Sequence, residues 1–156
     1  MKLPIKYAID SGVWFKCETK TIDGPFIFKI RILSFDKVTN NIMRELQKEI
    51  RFDEGILWLM GVEVVNLNKI PFSGWHVQNQ MILFDQDDFK FNTISVSELA
   101  VTKYGERVGI KRFSGWSNVP ELKPKIKAAG ALPFLLPDDE HADFFLSVES
   151  GNIQEI

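Results

Sequence analysis

The sequence predicts a mainly β fold, an antiparallel β-sandwich with one short helix inserted near residues 40–50. Three observations carry that expectation. Thirteen Phe and four Trp are a heavy aromatic load for 156 residues, and flat rings pack well on pleated surfaces. The run Phe26–Phe35 alternates apolar and polar residues, the pattern of a half-buried strand. The stretch from Gly55 to Asn92 reads as a buried strand, a crossing loop and a hairpin.

The bulk properties set limits on this fold. A chain of 156 residues fits one domain and buries about 70% of the surface its unfolded form exposes, enough for a core without staples. With 45% hydrophobic and 26% charged residues the balance is that of an ordinary globule. A net charge of −2 provides no global field for nucleic acid or membrane. Residues 1–52 carry ten Lys/Arg against six Asp/Glu, and the remainder nine against fifteen, so separate basic and acidic faces are one outcome of folding. Cys17 is the only cysteine. It excludes an internal disulfide and cysteine-rich zinc modules, and it fits a reducing compartment. Met1–Asp10 lacks the continuous apolar region of a signal peptide, and no stretch suits a membrane span. The expected location is the cytoplasm.

Taken in order, residues 4–9 and 13–19 read as two short strands joined at Asp10-Ser11-Gly12, a hairpin that either extends the sandwich or stands apart from it. After the turn Asp23-Gly24-Pro25, the strand from Phe26 places Phe26, Phe28, Ile30 and Ile32 on one face, with Lys29 and Arg31 on the other. Residues 39–50 change period: Ile42, Met43, Leu46 and Ile50 form one stripe, as on a short amphipathic helix. The strand from Ile56 to Val65 is apolar on both faces, which places it inside a sheet. Asp85-Gln86-Asp87-Asp88 suits a hairpin turn between strands 81–84 and 89–92. Ile94–Val101 fits strand or helix, and Val108, Ile110 and Phe113 suggest a short strand. Residues 126–136 contain Gly130 and Pro133 and read as an edge or bulged strand. Asp143–Glu149 is a further strand, followed by a turn and a short tail.

Several of these segments share a family pattern: Val62-Glu63-Val64-Val65-Asn66-Leu67-Asn68, then Met81–Asn92, then Ala131-Leu132-Pro133-Phe134-Leu135-Leu136-Pro137 and Phe144–Val148. Over residues 26–92 and 126–149 the chain resembles an uncharacterised group of bacterial immunoglobulin-like β-sandwich domains, many carried by secreted proteins and lipoproteins. Asp88 stands where that group has Gly, and no lipid-attachment cysteine precedes the matched region. The resemblance implies an immunoglobulin-like sandwich and a binding role. It supplies no catalytic residues.

Candidate sites are set by residue chemistry. Asp138, Asp139, His141 and Asp143, with Glu140, are of metal-ligand type; the carboxylates suit Ca²⁺ or Mg²⁺ and the imidazole a transition metal. The plainer reading is a solvated loop. Asp85, Asp87 and Asp88 are most simply turn formers. Cys17, His76 and His141 stand outside any recognisable hydrolase motif. Lys103, Arg107, Lys111, Arg112, Lys123, Lys125 and Lys127 interleave with Tyr104, Phe113 and Trp116, a composition that can hold single-stranded nucleic acid by charge and stacking. The tetrapeptide Phe-Ser-Gly-Trp occurs twice, at 72–75 and 113–116. Phe72, Trp75, Phe113 and Trp116 on loops are candidate partner-binding anchors; the alternative is that the two Trp cap the core. The leading expectation is a non-enzymatic interaction module that binds a protein partner or itself through loops and strand edges. A small metal-dependent enzyme or ion-binding domain using 138–143 is second, and nucleic-acid binding through 103–127 third.

Overall fold

The computed structural model of the protein describes residues 2–38, 55–96, 98–110, 113–116, 119, 121–138 and 142–156. The helix expected near 40–50 lies outside them. The strands are β1 (Leu3–Pro4), β2 (Phe15–Thr21), β3 (Gly24–Lys37), β4 (Ile56–Asn66), β5 (Met81–Phe84), β6 (Lys90–Asn92), β7 (Ser114–Gly115), β8 (Lys127–Leu136), β9 (Phe145–Val148) and β10 (Gly151–Glu155). Among the described residues the helices are α1 (Ile5–Ser11), α2 (Trp75–Gln80) and α3 (Glu98–Arg107). The fold is mainly β, a sandwich of two sheets. Among the described residues one has six strands in the order β10-β2-β3-β4-β8-β7, the other four in the order β1-β9-β5-β6. All pairs are antiparallel except β7 with β8.

The core lies between the sheets. Phe26, Phe28, Ile30 and Ile32 of β3 join Met60, Val62 and Val64 of β4 and Leu83, Leu146 and Val148 of the smaller sheet in one buried cluster. Each fully buried side chain of this size contributes about 1.5–3 kcal/mol relative to exposure. The other face of β4 is also covered. Leu57 and Leu59 pack with Ala100, Val101 and Tyr104 of α3 and with Phe113. Two cores on opposite sides of one strand explain why β4 is apolar on both faces.

A bulge in β3 reverses the faces of the strand's last residues. The register with β4 shifts between Ile32 and Ser34, and one extra residue moves every later side chain to the opposite side. Ser34 and Asp36 therefore turn to the α3 side, where Tyr104 donates its hydroxyl hydrogen to Asp36 Oδ2 at 2.6 Å and lies 2.7 Å from Ser34 Oγ. Burial, then the bond to Asp36, push the Tyr104 phenol well above its ordinary range. Phe35 and Lys37 turn instead to the inner face.

Several expectations need correction. Residues 4–9 do not form a hairpin with 13–19. Leu3–Pro4 pairs with β9, and Ile5–Ser11 is a helix. Ile5 and Ala8 fall on its buried side, and Gly12 closes it at φ 63, its N–H donating to the Ala8 carbonyl. Residues 98–107 settle as helix, and the short strand near Phe113 is Ser114–Gly115 rather than one through Val108 and Ile110. β8 is not an edge strand, because β4 and β7 flank it. The expected tail is strand β10.

Candidate functional site

The two sheets differ in strand length. β3 has 14 residues and β4 has 11, whereas β9 has 4. At about 3.3 Å per residue, β3 runs some 45 Å and β9 some 13 Å. The large sheet therefore overhangs the small one, and its inner face needs other cover there. At the end holding the start of β3, Phe72 stacks on Phe26 at 4.6 Å with an interplanar angle of 9°. Val77 and His76 of α2 and Leu122 are buried beside them. That end is closed.

At the opposite end, α1 covers part of the overhang and leaves a groove of about 580 Å³. The volume lies in the range of ligand sites. Its floor is aromatic: Phe35 and Trp58 lie 4.8 Å apart, and Phe144 meets Phe35 edge-on at 6.0 Å. All three are half-buried. Ile5 and Ile9 of α1 form one wall, tied to the small sheet where the Ile5 N–H donates to the Phe144 carbonyl at 3.1 Å. The rim carries charge. Lys6 and Asp10 sit one turn apart on α1, and Lys37 Nζ lies 3.4 Å from Asp138 Oδ1. Asp143 is exposed at the mouth, its backbone N–H held by Gln86 Oε1 at 2.9 Å. Its carboxylate makes no ion pair among the described residues.

The residues singled out from the sequence are dispersed. Phe72 and Phe113 are each 5% exposed and Trp116 is fully buried, so three of the four expected anchors belong to the core. Trp75 remains, 45% exposed at the start of α2. Asp138 and Asp143 both line the groove, while Asp139 and His141 lie outside the described residues. Among the described residues no three metal-ligating side chains come together. Asp85 Oδ1 accepts the N–H groups of Asp87 and Phe89, and Asp88 takes φ 65, the behaviour of a turn. In the basic stretch Tyr104, Phe113 and Trp116 are buried, so bases have no ring there to stack on. Lys127 Nζ is bound to Glu63 at 2.9 Å, and Lys111 and Arg112 lie outside the described residues. Cys17 is fully buried, which pushes its thiol far up and removes thiolate character.

Two arrangements were missed from sequence. His76 Nε2 lies 2.8 Å from Asp23 Oδ2, and its Nδ1 is buried with no partner among the described residues. Among the described residues no hydroxyl or thiol bonds that nitrogen. Glu63 binds both Arg31 and Lys127 on the outer face of the large sheet. Burial opposes its charge, but the hydrogen bonds and charges of Lys127 and Arg31 win and hold its carboxyl below the ordinary range. Neither pairing has a spacing signal; register alone produces them.

The fold thus defines the class: a mainly β sandwich with a groove at one end. No family model matches the chain, and no curated protein does. Solved structures resemble it at the level of fold. A conserved hypothetical protein from Bacillus anthracis is 16% identical, with 92% of this chain and 98% of that chain covered and a TM-score of 0.50. The secreted protein MPT63 from Mycobacterium tuberculosis is 8% identical, with 82% and 87% covered and a TM-score of 0.47. Among the described residues no helix is long and apolar enough to cross a membrane.

Proposed function

We propose that this protein is a non-enzymatic interaction module of the immunoglobulin-like sandwich kind, which holds a short apolar segment of a protein partner in the groove beside α1. The observation that supports it is the aromatic floor of Phe35, Trp58 and Phe144 beneath a charged rim. Half-buried rings in a concave site supply the desolvated anchor pocket of an interface, and the polar rim excludes water around it. The rim favours one partner chemistry. Lys37 is matched by Asp138 and Lys6 stands near Asp10, which leaves the Asp143 carboxylate to attract a cation. The fitting segment carries an aromatic or branched aliphatic residue next to Lys or Arg.

The test is selection of short peptides from a random display library on the full chain, followed by calorimetry on variants. Enriched peptides are expected to share the apolar-basic pattern. Trp58→Ala is expected to weaken them by at least about tenfold, or ~1.4 kcal/mol. Asp143→Asn weakens those bearing Lys or Arg, and Trp75→Ala leaves binding unchanged. Binding lost in Trp75→Ala but kept in a folded Trp58→Ala would move the site to the α2 loop and sink the groove reading.

A further inference from the structure

We infer that the protein pairs with a second copy of itself through β10, joining the two six-stranded sheets edge to edge about a two-fold axis. This surface is separate from the groove, and the inference does not depend on what the groove binds. β10 ends the sheet, and among the described residues no strand lies on its outer side. The direction of its backbone is set by one bond. The Ile156 N–H donates to the Trp14 carbonyl at 3.2 Å. Residues of an antiparallel strand point their N–H and C=O to alternate sides. Gln154, opposite Lys16, and Asn152, opposite Glu18, therefore bond inward to β2. Ile153 and Glu155 turn theirs outward, ready for another strand.

Natural sheets blunt such edges with proline, lysine, bulges or very short strands. The other sheet edges obey that rule. β1 has two residues and includes Pro4, β6 has three and includes Lys90, and β7 has two. β10 has five residues, with neither proline nor lysine and in unbroken register with β2. Its sequence is also complementary to itself. Antiparallel pairing centred on Ile153 sets Asn152 against Gln154 of the copy and Gly151 against Glu155. Amide meets amide, and the only charged side chain meets a residue with none. Like charges never oppose each other, which is the usual penalty on such pairs. That self-match selects a copy of this chain over an unrelated strand. Five residues a side bury less than the roughly 1,200 Å² of a standard interface, so the dimer is weak and reversible.

Sedimentation equilibrium of the full chain over a concentration series tests this. Wild type is expected to move from monomer to dimer. Glu155→Pro deletes an outward N–H and spares every bond to β2, and it is expected to weaken the dimer at least about tenfold. Asn152→Lys with Gln154→Lys opposes Lys to Lys and has the same effect. Asn152→Lys with Gln154→Glu opposes unlike charges across the dimer and also against Glu18 and Lys16 of β2, and keeps the dimer. Tyr7→Phe, which breaks only the 2.8 Å bond from the Tyr7 hydroxyl to Glu155, also keeps it. Thermal melting confirms that each variant is folded; if Glu155→Pro is not, the lysine pair decides. A wild type that stays monomeric throughout overturns the inference. So does a dimer unmoved by the lysine pair, or one lost equally in the unlike-charge variant.

Discussion

Trp116→Ala against Trp75→Ala separates core from surface within two identical tetrapeptides. Trp116 is fully buried in the inter-sheet cluster, and Trp75 is 45% exposed. Its indole packs in the core, and among the described residues its N–H has no partner. Truncating a buried aromatic costs ~3–5 kcal/mol through lost transfer energy and the cavity left behind. That is a large share of a typical total stability of ~5–15 kcal/mol. At about 2–4 °C per kcal/mol for a chain of this length, the melting temperature falls by roughly 6–20 °C. Trp75→Ala costs less, ~1 kcal/mol, because the ring is 45% exposed and its contact is the edge-on one with His76 at 5.2 Å. Urea titrations followed by far-ultraviolet circular dichroism measure both without relying on the deleted fluorophore. A Trp116→Ala protein within about 1 kcal/mol of wild type would refute the placement of this side chain in the core.

The same geometry sets three other outcomes. Glu63 has a depressed pKa in the folded state, so its ion pairs add stability above the unfolded value and lose it as pH falls through the folded one. Glu63→Gln is expected to lower the melting temperature at neutral pH, and the gap to wild type should narrow progressively in thermal scans as the pH falls below the unperturbed Glu value of about 4.3; a gap constant across pH contradicts the assignment. Gly130→Ala places a methyl group 2.5 Å from the Ser114 carbonyl oxygen and 2.7 Å from Trp116 Cε2. The clash costs ~1–3 kcal/mol and outweighs the ~0.4–1 kcal/mol that alanine gains by restricting the unfolded chain, a net loss readable in a urea titration. Cys17 should resist iodoacetamide in the native protein and react on unfolding, as mass spectrometry of pulse-labelled samples would show.

What was legible in the sequence was whatever local period decides. The inner face of β3 could be read through Ile32, because alternation holds that far. Beyond it the bulge reverses the faces, and nothing local announces an extra residue; Phe35 and Lys37 reach the groove by that reversal. The α1 segment was misread because Ile5, Tyr7 and Ile9 alternate as a strand would, while Ile5 and Ala8 also fit a helix. Gly12 allows either a hairpin turn or a helix stop. Gly130 and Pro133 suggested a weak edge, yet β8 lies within its sheet. Gly130 is where Trp116 crosses closely. Pro133 lies beyond the β7 pairing, and its carbonyl accepts the Ile94 N–H at 2.9 Å. The two Phe-Ser-Gly-Trp segments show the limit most plainly. One Trp lies on the exposed side of a helix that buries His76 and Val77 instead; the other meets a glycine on β8 that admits its ring. Identical local sequence takes opposite burial because the deciding residue is distant in the chain.

The groove has the same origin. Its residues come from α1, the end of β3, the start of β4, the residues just after β8 and the entry to β9, and of these only Asp138 and Asp143 carried a sequence signal, read as metal chemistry. Strand length is what brings them together. A long sheet over a short one leaves two overhangs. Stacked Phe26 and Phe72, with the buried His76, close one. At the other, the cover among the described residues is α1, seven residues or about 10 Å of helix, beside the inner face on which Phe35 and Trp58 lie. Aromatic area left half-exposed costs stability at about 25 cal/mol per Å², and the fold already shows at its other end how such area is removed from water. The contrast between the two ends, more than any single residue, is the reason to look for a partner at α1 rather than at the tryptophan loops.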